Sequence, residues 1–150
     1  MDYLLDTNIV LIYARNNDLT QRIERKLNLL NDKNNLIVSV VTIGEVKAFA
    51  KKNQWGDSKI NRMLKLLDNF LVADINIENV IERYANLDAF SQGRLANFKS
   101  NFSARNMGKN DLWIAATAST YNFILITTDK DFDHLDTHYL KLDRLNLSDF

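Results

Sequence analysis

Short apolar runs alternate with longer amphipathic segments along almost the whole chain. Of all the features of the sequence, this alternation limits the possible folds most strongly. The apolar runs predict strands at Tyr3–Leu5, Leu36–Val40, Phe70–Ala73, Phe123–Thr127 and, as a short edge strand, Tyr139–Leu142. Helical spacing of apolar residues predicts helices at Asn8–Arg15, Leu19–Leu30, Thr42–Lys52, Asp57–Leu67, Glu78–Phe90 and Asp111–Tyr121. Because strands that alternate with helices form parallel sheets covered on both faces, the sequence predicts an α/β fold with about four to five parallel strands.

The composition is that of one globular domain. With 150 residues, 46% of them hydrophobic, the chain can bury a sizeable core, so we expect residues 1–150 to form a single domain. Cysteine is absent, which excludes disulfides and a thiolate metal site. The apolar stretch near the N-terminus is too short and too interrupted for a signal peptide or a membrane span, so we expect a cytoplasmic protein.

Charge is balanced over the chain but unevenly distributed. The formal net charge is zero, which argues against a protein that binds nucleic acid through its overall charge. Residues 89–110, here called the basic segment, contain no acidic residue and four basic ones: Arg94, Lys99, Arg105 and Lys109. The basic segment is either a surface that binds the phosphates of a nucleic acid or a solvated loop that happens to be basic.

Acidic residues occur where such a fold would bind a ligand. Asp6 follows the first predicted strand and Asp129 follows the fourth, and parallel sheets bind ligands at the carboxyl ends of their strands. Asp111 opens the alanine-rich helix, and Glu45 lies on the helix after the LIVSV strand. Each acid is next to an apolar segment, so we expect each to lie near the core.

Each of these acids also has a purely structural interpretation. Asp6 and Asp111 could cap the helices that begin beside them, because aspartate is favoured at helix starts. Asp129 could be a turn residue, and Glu45 could be a solvated residue at the edge of a helix stripe. For each acid considered alone, the structural interpretation is favoured over a role in a functional site.

Taken together, the four acids favour a metal site. Neighbouring carboxylates repel one another, and their pKa values rise unless a cation joins them. Ligands that are all oxygen suit a hard cation such as Mg²⁺ or Mn²⁺ and do not suit zinc. Such a cation can activate water and neutralise a phosphodiester during in-line displacement. The sequence therefore favours metal-dependent hydrolysis.

No other catalytic arrangement competes with the acids. His134 and His138 lie outside any strong helical stripe, so we expect two surface histidines and no metal pair. The chain has no glycine-rich phosphate loop and no serine nucleophile on a recognisable elbow. We expect Trp113 to pack in the core and not to stack on a base.

Four segments together resemble the PIN-domain family and, within it, the VapC-type toxins of bacterial toxin–antitoxin pairs. The segments are LLDTN, VTIGE, NDLWIAATA and LITTDKDF, and they occur in the order and at the spacing typical of the family, from Tyr3 to about Leu142. The resemblance implies a three-layer PIN-like fold, with the parallel sheet between helices. It also implies an endoribonuclease that uses Mg²⁺ or Mn²⁺ to hydrolyse RNA phosphodiesters.

The resemblance implies roles for individual residues. The catalytic and metal-binding acids of the family fall on Asp6, Glu45, Asp111 and Asp129. Asp131 matches a further acid, which binds metal in only some members. Polar positions that orient ligands or water in relatives fall on Thr7, Asn8, Asn110 and Thr127, where turn and cap chemistry is the alternative role. Phosphate contacts are expected first at Arg105 and Lys109, which precede Asp111, and then at Arg94 and Lys99.

The resemblance also implies partners. It implies single-stranded or structured RNA, often tRNA, as the substrate. It implies a small cognate antitoxin whose tail occupies the acidic groove, and a homodimer. We expect no membrane partner.

Three other functions remain open. The chain could be a PIN nuclease of RNA processing or DNA metabolism, or a PIN domain that has lost catalysis and serves as a binding module. It could also be a receiver-like regulatory domain, which is a parallel α/β fold with an acidic Mg²⁺ site. The presence of all four acids disfavours a silent module, and an acid pair stands where a receiver domain needs a lysine. A small upstream reading frame for a DNA-binding antitoxin would distinguish a toxin from these alternatives.

Overall fold

The computed structural model describes residues 1–150 and contains a five-stranded sheet in which all strands are parallel. The strands are β1 Asp2–Leu5, β2 Asn35–Ser39, β3 Leu71–Ala73, β4 Ile124–Thr127 and β5 Lys141–Arg144. The helices are α1 Thr7–Arg15, α2 Asp18–Leu27, α3 Val40–Lys52, α4 Asp57–Asp68, α5 Glu78–Ser91 and α6 Lys109–Tyr121. Two short 3-10 helices are Lys130–Leu135 and Leu147–Asp149. The predicted α/β class is confirmed.

The order of the strands creates a crevice at one edge of the sheet. The order is β3-β2-β1-β4-β5, so the chain builds outward from β1 in one direction and from β4 in the other. β1 and β4 are neighbours, with Tyr3 paired to Ile124 and Leu5 paired to Ile126. Connections that leave two neighbouring strands on opposite faces open a crevice at the carboxyl ends of those strands, where α/β proteins bind ligands.

Both faces of the three central strands β2, β1 and β4 are buried, as expected for strands that are apolar along their length, whereas the edge strands β3 and β5 are largely exposed. Leu5 belongs to a core of 18 buried residues that includes side chains of α1, α2, α3 and α4. Leu4, one residue earlier, belongs to a second core of 15 buried residues, formed largely with α5 and α6. Trp113 packs against Tyr84 at the edge of this second core, with ring centroids 4.3 Å apart, which confirms its predicted packing role. The three predicted layers are therefore present.

The predicted elements are all found, but three apolar side chains of the predicted helices are exposed. Leu30 is 51% exposed because α2 ends at Leu27, where Asn28 adopts a left-handed conformation with φ 50°. Leu64 and Ile81 are 39% and 47% exposed. Each follows a buried residue by one position, which turns it about 100° away from the buried face of its helix. None of the helices has the length and apolar character needed to span a bilayer.

Candidate metal centre

Three helix starts converge beyond the carboxyl ends of β1 and β4, and each carries an aspartate. Asp6 follows β1 and is the N-cap of α1. Asp111 lies in the first turn of α6, and Asp129 is the N-cap of the 3-10 helix Lys130–Leu135. The free N–H groups and partial positive charge of a helix N-terminus favour a carboxylate at each of these positions.

Asp6 is the most buried of the acids, with 4% of its surface exposed. The backbone N–H of Thr7 donates to Asp6 Oδ1 at 2.7 Å, and the hydroxyl of Thr127 donates to Oδ2 at 2.6 Å. Burial raises the pKa of Asp6, these two hydrogen bonds oppose the rise, and the charges of Glu45 and Asp129 add to it. The carboxylate is thus held in one orientation by a donor on each oxygen.

Two threonines connect the acids to one another. Thr127 is fully buried, and its Oγ1 donates to Asp6 and accepts a hydrogen bond from the backbone N–H of Asp129 at 3.0 Å. Thr7 donates through its hydroxyl to Glu45 Oε1 at 2.7 Å, while its N–H holds Asp6. Both hydroxyl groups thus donate to acids from distant parts of the chain, and the hydroxyl of Thr127 also closes a turn through its bond from Asp129.

The tightest group of carboxylates consists of Asp111, Asp129 and Asp131. One carboxylate oxygen from each lies within 4.8 Å of the others. The backbone N–H of Asp131 donates to Asp129 Oδ1 at 2.9 Å, which fixes these two residues relative to each other. Carboxylates at this spacing can serve as ligands of one hard cation. The structure therefore places Asp131 in the closest group, while Asp6 and Glu45 lie around it.

Asp111 is the electrostatic centre of the acid cluster, a name used here for Asp6, Glu45, Asp111, Asp129 and Asp131. Burial raises the pKa of Asp111 to about 7, with contributions from all four of the other acids. Such a concentration of negative charge is unfavourable until a cation neutralises it. The side chains of the acid cluster can provide only carboxylate oxygens as metal ligands, and oxygen ligands fit a hard divalent cation. The acid cluster therefore has both the spacing and the chemistry of a divalent-cation site.

Gly108, and not Asp111, is the N-cap of α6, so the interpretation of Asp111 as a helix cap is wrong. A Cβ at Gly108 would lie 3.4 Å from Asp111 Oδ2. The absence of a side chain at Gly108 keeps this side of the Asp111 carboxylate open. The only signal in the sequence was a glycine three residues before an acid, which is too common a pattern to indicate a role.

The two predicted asparagines lie beside the acid cluster. Asn8 and Asn110 are exposed and line a groove together with Thr7 and Glu45. A further residue that the sequence did not indicate is Thr42, which is fully buried with its Oγ1 3.3 Å from Thr7 Oγ1. A threonine near the start of a predicted helix gives no sign of such a contact, which depends on how α1 and α3 pack.

The basic segment comprises the end of α5, the irregular residues 92–108 and the first two residues of α6. Its four basic side chains are exposed, and none of them forms a salt bridge. Lys109 is the first residue of α6, two positions before Asp111. Burial lowers the pKa of the His134 imidazole, and the charge of nearby Arg105 lowers this pKa further. Arg94 and Lys99 form no hydrogen bond or salt bridge with the acids.

His134 is buried, so the prediction of two surface histidines is wrong for this residue. It is 9% exposed, and its Nε2 lies 2.7 Å from the hydroxyl of buried Ser91. The ring also stacks near Phe90, with centroids 6.3 Å apart. The 3-10 helix Lys130–Leu135 turns His134 inward, and the contact with Ser91 ties this helix to α5. His138 is exposed, as predicted.

The chain belongs to the PIN domain family, whose model matches residues 3–137. It is similar to the protein named Ribonuclease VapC1 from Haemophilus influenzae (strain R2866), with 27% identity over 136 residues. That alignment covers 90% of this chain and 92% of the relative. The resemblance predicted from the four sequence segments is therefore confirmed.

Solved structures show the same fold. VapBC2 from Rickettsia felis, bound to a DNA fragment from its promoter, matches with a TM-score of 0.72 at 21% identity, over 97% of this chain and 100% of that chain. VapBC-1 from nontypeable Haemophilus influenzae matches with a TM-score of 0.67 at 27% identity, over 96% of this chain and 98% of that chain. The three-layer arrangement of helices and parallel sheet is thus the one found in these relatives.

Proposed function

We propose that this protein is a divalent-cation-dependent endoribonuclease and the toxin of a toxin–antitoxin pair. The observation that carries the proposal is the acid cluster centred on Asp111, which lies at the edge of the sheet where the fold opens a crevice. The similarity to a protein named as a ribonuclease supports RNA as the substrate. In this proposal residues 1–150 act as one nuclease domain, because both cores are built on the same sheet.

The cation is proposed to be Mg²⁺, with Mn²⁺ as the alternative, because all ligands are oxygen atoms. Asp111, Asp129 and Asp131 would hold it, and Asp6 would complete the negative environment from its fixed position. When bound, the cation supplies positive charge beside the scissile phosphate and lowers the pKa of water. In this proposal Asp131 is a metal ligand, together with Asp111 and Asp129, which the family pattern also predicts as ligands.

We assign Glu45 as the acid that accepts a proton, because it lies outside the closest group of carboxylates, which would hold the cation. The hydroxyl of Thr7 donates to its Oε1 and fixes the carboxylate. In the proposed step, the oxygen of a water molecule forms a bond to the phosphorus, Glu45 takes a proton of that water, and the P–O bond to the leaving oxygen breaks. The leaving oxygen then takes a proton from solvent and departs as an alcohol. Because Thr7 and Thr127 hold Glu45 and Asp6 before RNA arrives, the site needs little rearrangement during the reaction.

The partners follow from the same surfaces and relatives. Lys109 and Arg105 are proposed to contact RNA phosphates near the acid cluster, with Arg94 and Lys99 further along the strand. A tRNA is proposed as the natural substrate class. The similar solved structures are VapBC toxin–antitoxin complexes, which supports an antitoxin partner for this chain, and we also propose a homodimer.

The test is cleavage of RNA by the purified protein with Mg²⁺, compared with the variant Asp111→Asn. This change removes one charge and keeps the shape of the side chain. We expect the rate to fall more than about a hundredfold, because substitution of a residue merely behind a metal ligand already costs roughly 10- to 100-fold. Asp57→Asn, at an exposed acid in the first turn of α4, is the matched control and should cleave normally.

Cleavage by Asp111→Asn at the wild-type rate would show that the acid cluster is not the catalytic site. The natural target is found by sequencing RNA ends after induced expression of the wild type and of Asp111→Asn. Ends that occur only with the wild type identify the RNA and the position of the cut. New ends in the intermediates of ribosomal RNA processing or in RNA made during DNA metabolism, and none in a component of translation such as tRNA, would contradict the toxin assignment.

A further inference from the structure

A groove of about 630 Å³ lies between α1 and α3 and begins at the acid cluster. Thr7, Glu45 and Asn110 line it at the end nearest the acids. Leu11 and Phe49 line its apolar middle. Since Thr7 and Glu45 also take part in the acid cluster, the α1–α3 groove is continuous with the proposed catalytic site.

The far end of the α1–α3 groove is positively charged. Lys52 lines it, is exposed and forms no salt bridge. The guanidinium of Arg15 lies 5.8 Å from the ring centroid of Phe49, which adds a second positive charge close to the groove. Glu45 and Lys52 are two turns apart on the same helix, a separation of about 10 Å along its axis.

We propose that the α1–α3 groove binds the nucleotide next to the scissile phosphate of the RNA, an inference that rests on the proposed nuclease function. The base would lie against Phe49 and Leu11, with the amides of Asn8 and Asn110 available to the hydrogen-bonding edges of the base. The phosphate on the far side of this nucleotide would meet Lys52.

The order of chemical groups along the groove favours a nucleotide over a peptide. A cation site, an apolar surface with amides, and a positive charge follow one another, and a nucleotide between two phosphates presents the complementary order. A basic peptide would suit the acid cluster but would be repelled at Lys52.

Gly44 provides a second observation and a means of testing. It lies on α3 and lines the α1–α3 groove, and a Cβ placed there would meet no atom within 4 Å. Glycine inside a helix is less favourable than alanine by roughly 0.5–1 kcal/mol, so helix stability gives no reason for it. The glycine keeps the groove wide, and a larger side chain at this position would fill the groove without a clash.

The experiment compares Gly44→Leu and Lys52→Ala with the wild type on a single-stranded oligoribonucleotide that has one cleavage site. Cleavage is followed with Mg²⁺, and binding is followed by fluorescence anisotropy with Ca²⁺ in its place. We expect Gly44→Leu to raise Kd about tenfold or more, since base contacts of this kind account for at least such a factor. We expect Lys52→Ala to reduce the slope of log Kd against log salt by about 0.7, the value for one lost phosphate contact on a single strand.

Two variants serve as controls. Gly44→Ala adds only a methyl group, so it should weaken RNA binding less than Gly44→Leu does, and its thermal stability should equal or exceed that of the wild type. Lys33→Ala removes an exposed lysine at the opposite edge of the sheet, before β2, and should leave the salt slope unchanged. A Gly44→Leu protein that melts like Gly44→Ala excludes misfolding as the cause of lost binding.

The outcomes separate this inference from the proposed function. Unchanged Kd and unchanged cleavage in Gly44→Leu would overturn the inference. If the wild type binds the oligoribonucleotide in a manner that depends on Gly44 but never cleaves it, the groove assignment stands and the nuclease assignment fails. If the wild type does not bind it, both fail.

Discussion

The acid cluster and the basic segment are neighbours in the fold, yet they are built in opposite ways. Four of the five acids lie at helix starts, and Thr7 and Thr127 hold Glu45 and Asp6 with hydrogen bonds of 2.6–2.7 Å. The basic side chains lie mostly on irregular backbone, exposed and without salt bridges. Chemistry at a phosphorus atom requires fixed ligands, whereas attraction of a polyanion requires only accessible charge.

The two regions also differ in energy. The acid cluster concentrates negative charge in a partly buried place, so the folded protein without a cation carries unrelieved repulsion. The basic segment is solvated, and its charges cost little to maintain. We therefore expect substitutions in the acid cluster to change catalysis, cation affinity and stability together. Substitutions in the basic segment should change RNA affinity alone.

The largest effect that would sharpen this comparison is expected at Thr127. Thr127→Val keeps the shape of the buried side chain but removes the hydroxyl that donates to Asp6 and accepts from Asp129. We expect Mg²⁺ affinity or cleavage rate to fall by about 10- to 100-fold, as is usual for groups that orient metal ligands. Isothermal titration with Mg²⁺ and initial cleavage rates measure the two quantities.

Thr127→Ser is the matched control, since it retains the hydroxyl and should retain most of the activity. The valine variant should also unfold more easily, by about 1–3 kcal/mol, because Asp6 Oδ2 loses its only donor inside the protein. Normal activity in both variants would mean that the fold holds Asp6 without Thr127, and the contrast with the basic segment would weaken.

The second prediction concerns the pH dependence of the free energy of unfolding without metal. The pKa of Asp111 is raised from an ordinary value of 3.8 to about 7, so the folded state binds this proton more tightly than the unfolded chain does. Its contribution is therefore fully present below pH about 4 and is lost as the pH rises to about 7. Urea unfolding in EDTA should show wild-type stability falling across this range relative to Asp111→Asn.

Addition of Mg²⁺ should reverse the loss at neutral pH. At a Mg²⁺ concentration 100 times its Kd, binding to the folded state alone adds about 2.7 kcal/mol. Asp111→Asn should gain less, because it lacks one ligand and one repelling charge. A wild type whose stability neither falls with pH in EDTA nor rises with Mg²⁺ would contradict the cation site. Lys109→Ala should behave as the wild type in this experiment.

The sequence was sufficient for the features that repeat along the chain or stand at element ends. Strands buried on both faces are nearly continuous apolar runs, so Leu36–Val40 and Phe123–Thr127 were recognisable at once. Asp6 and Asp129 could be predicted as residues of one site because each follows a strand, and parallel strands bring their carboxyl ends to the same edge of the sheet. The family pattern was needed for Glu45, since a glutamate at the edge of a helix stripe has no distinguishing feature of its own.

The features that the sequence did not predict are contacts between distant parts of the chain. The hydrogen bond from Thr127 to Asp6 joins residues 121 positions apart, and the burial of His134 depends on Ser91, 43 positions earlier. Neither contact leaves a periodic signal. Leu64 and Ile81 are exposed for a different reason, since the apolar stripe on a helix can be wider than the face that packs.

The smallest effect is expected in the basic segment, at Lys109. Lys109→Ala should lower kcat/KM a few-fold with little change in kcat or in melting temperature, because the lysine contributes attraction and not chemistry. The slope of log(kcat/KM) against log salt should fall by about 0.7 for each lost phosphate contact. Arg94→Ala, further from the acids along the chain, is the comparison and should change the slope no more than Lys109→Ala does. If Lys109→Ala lowered kcat/KM as much as Asp111→Asn does and left the salt slope unchanged, Lys109 would take part in the reaction itself. The distinction between the two regions would then no longer hold.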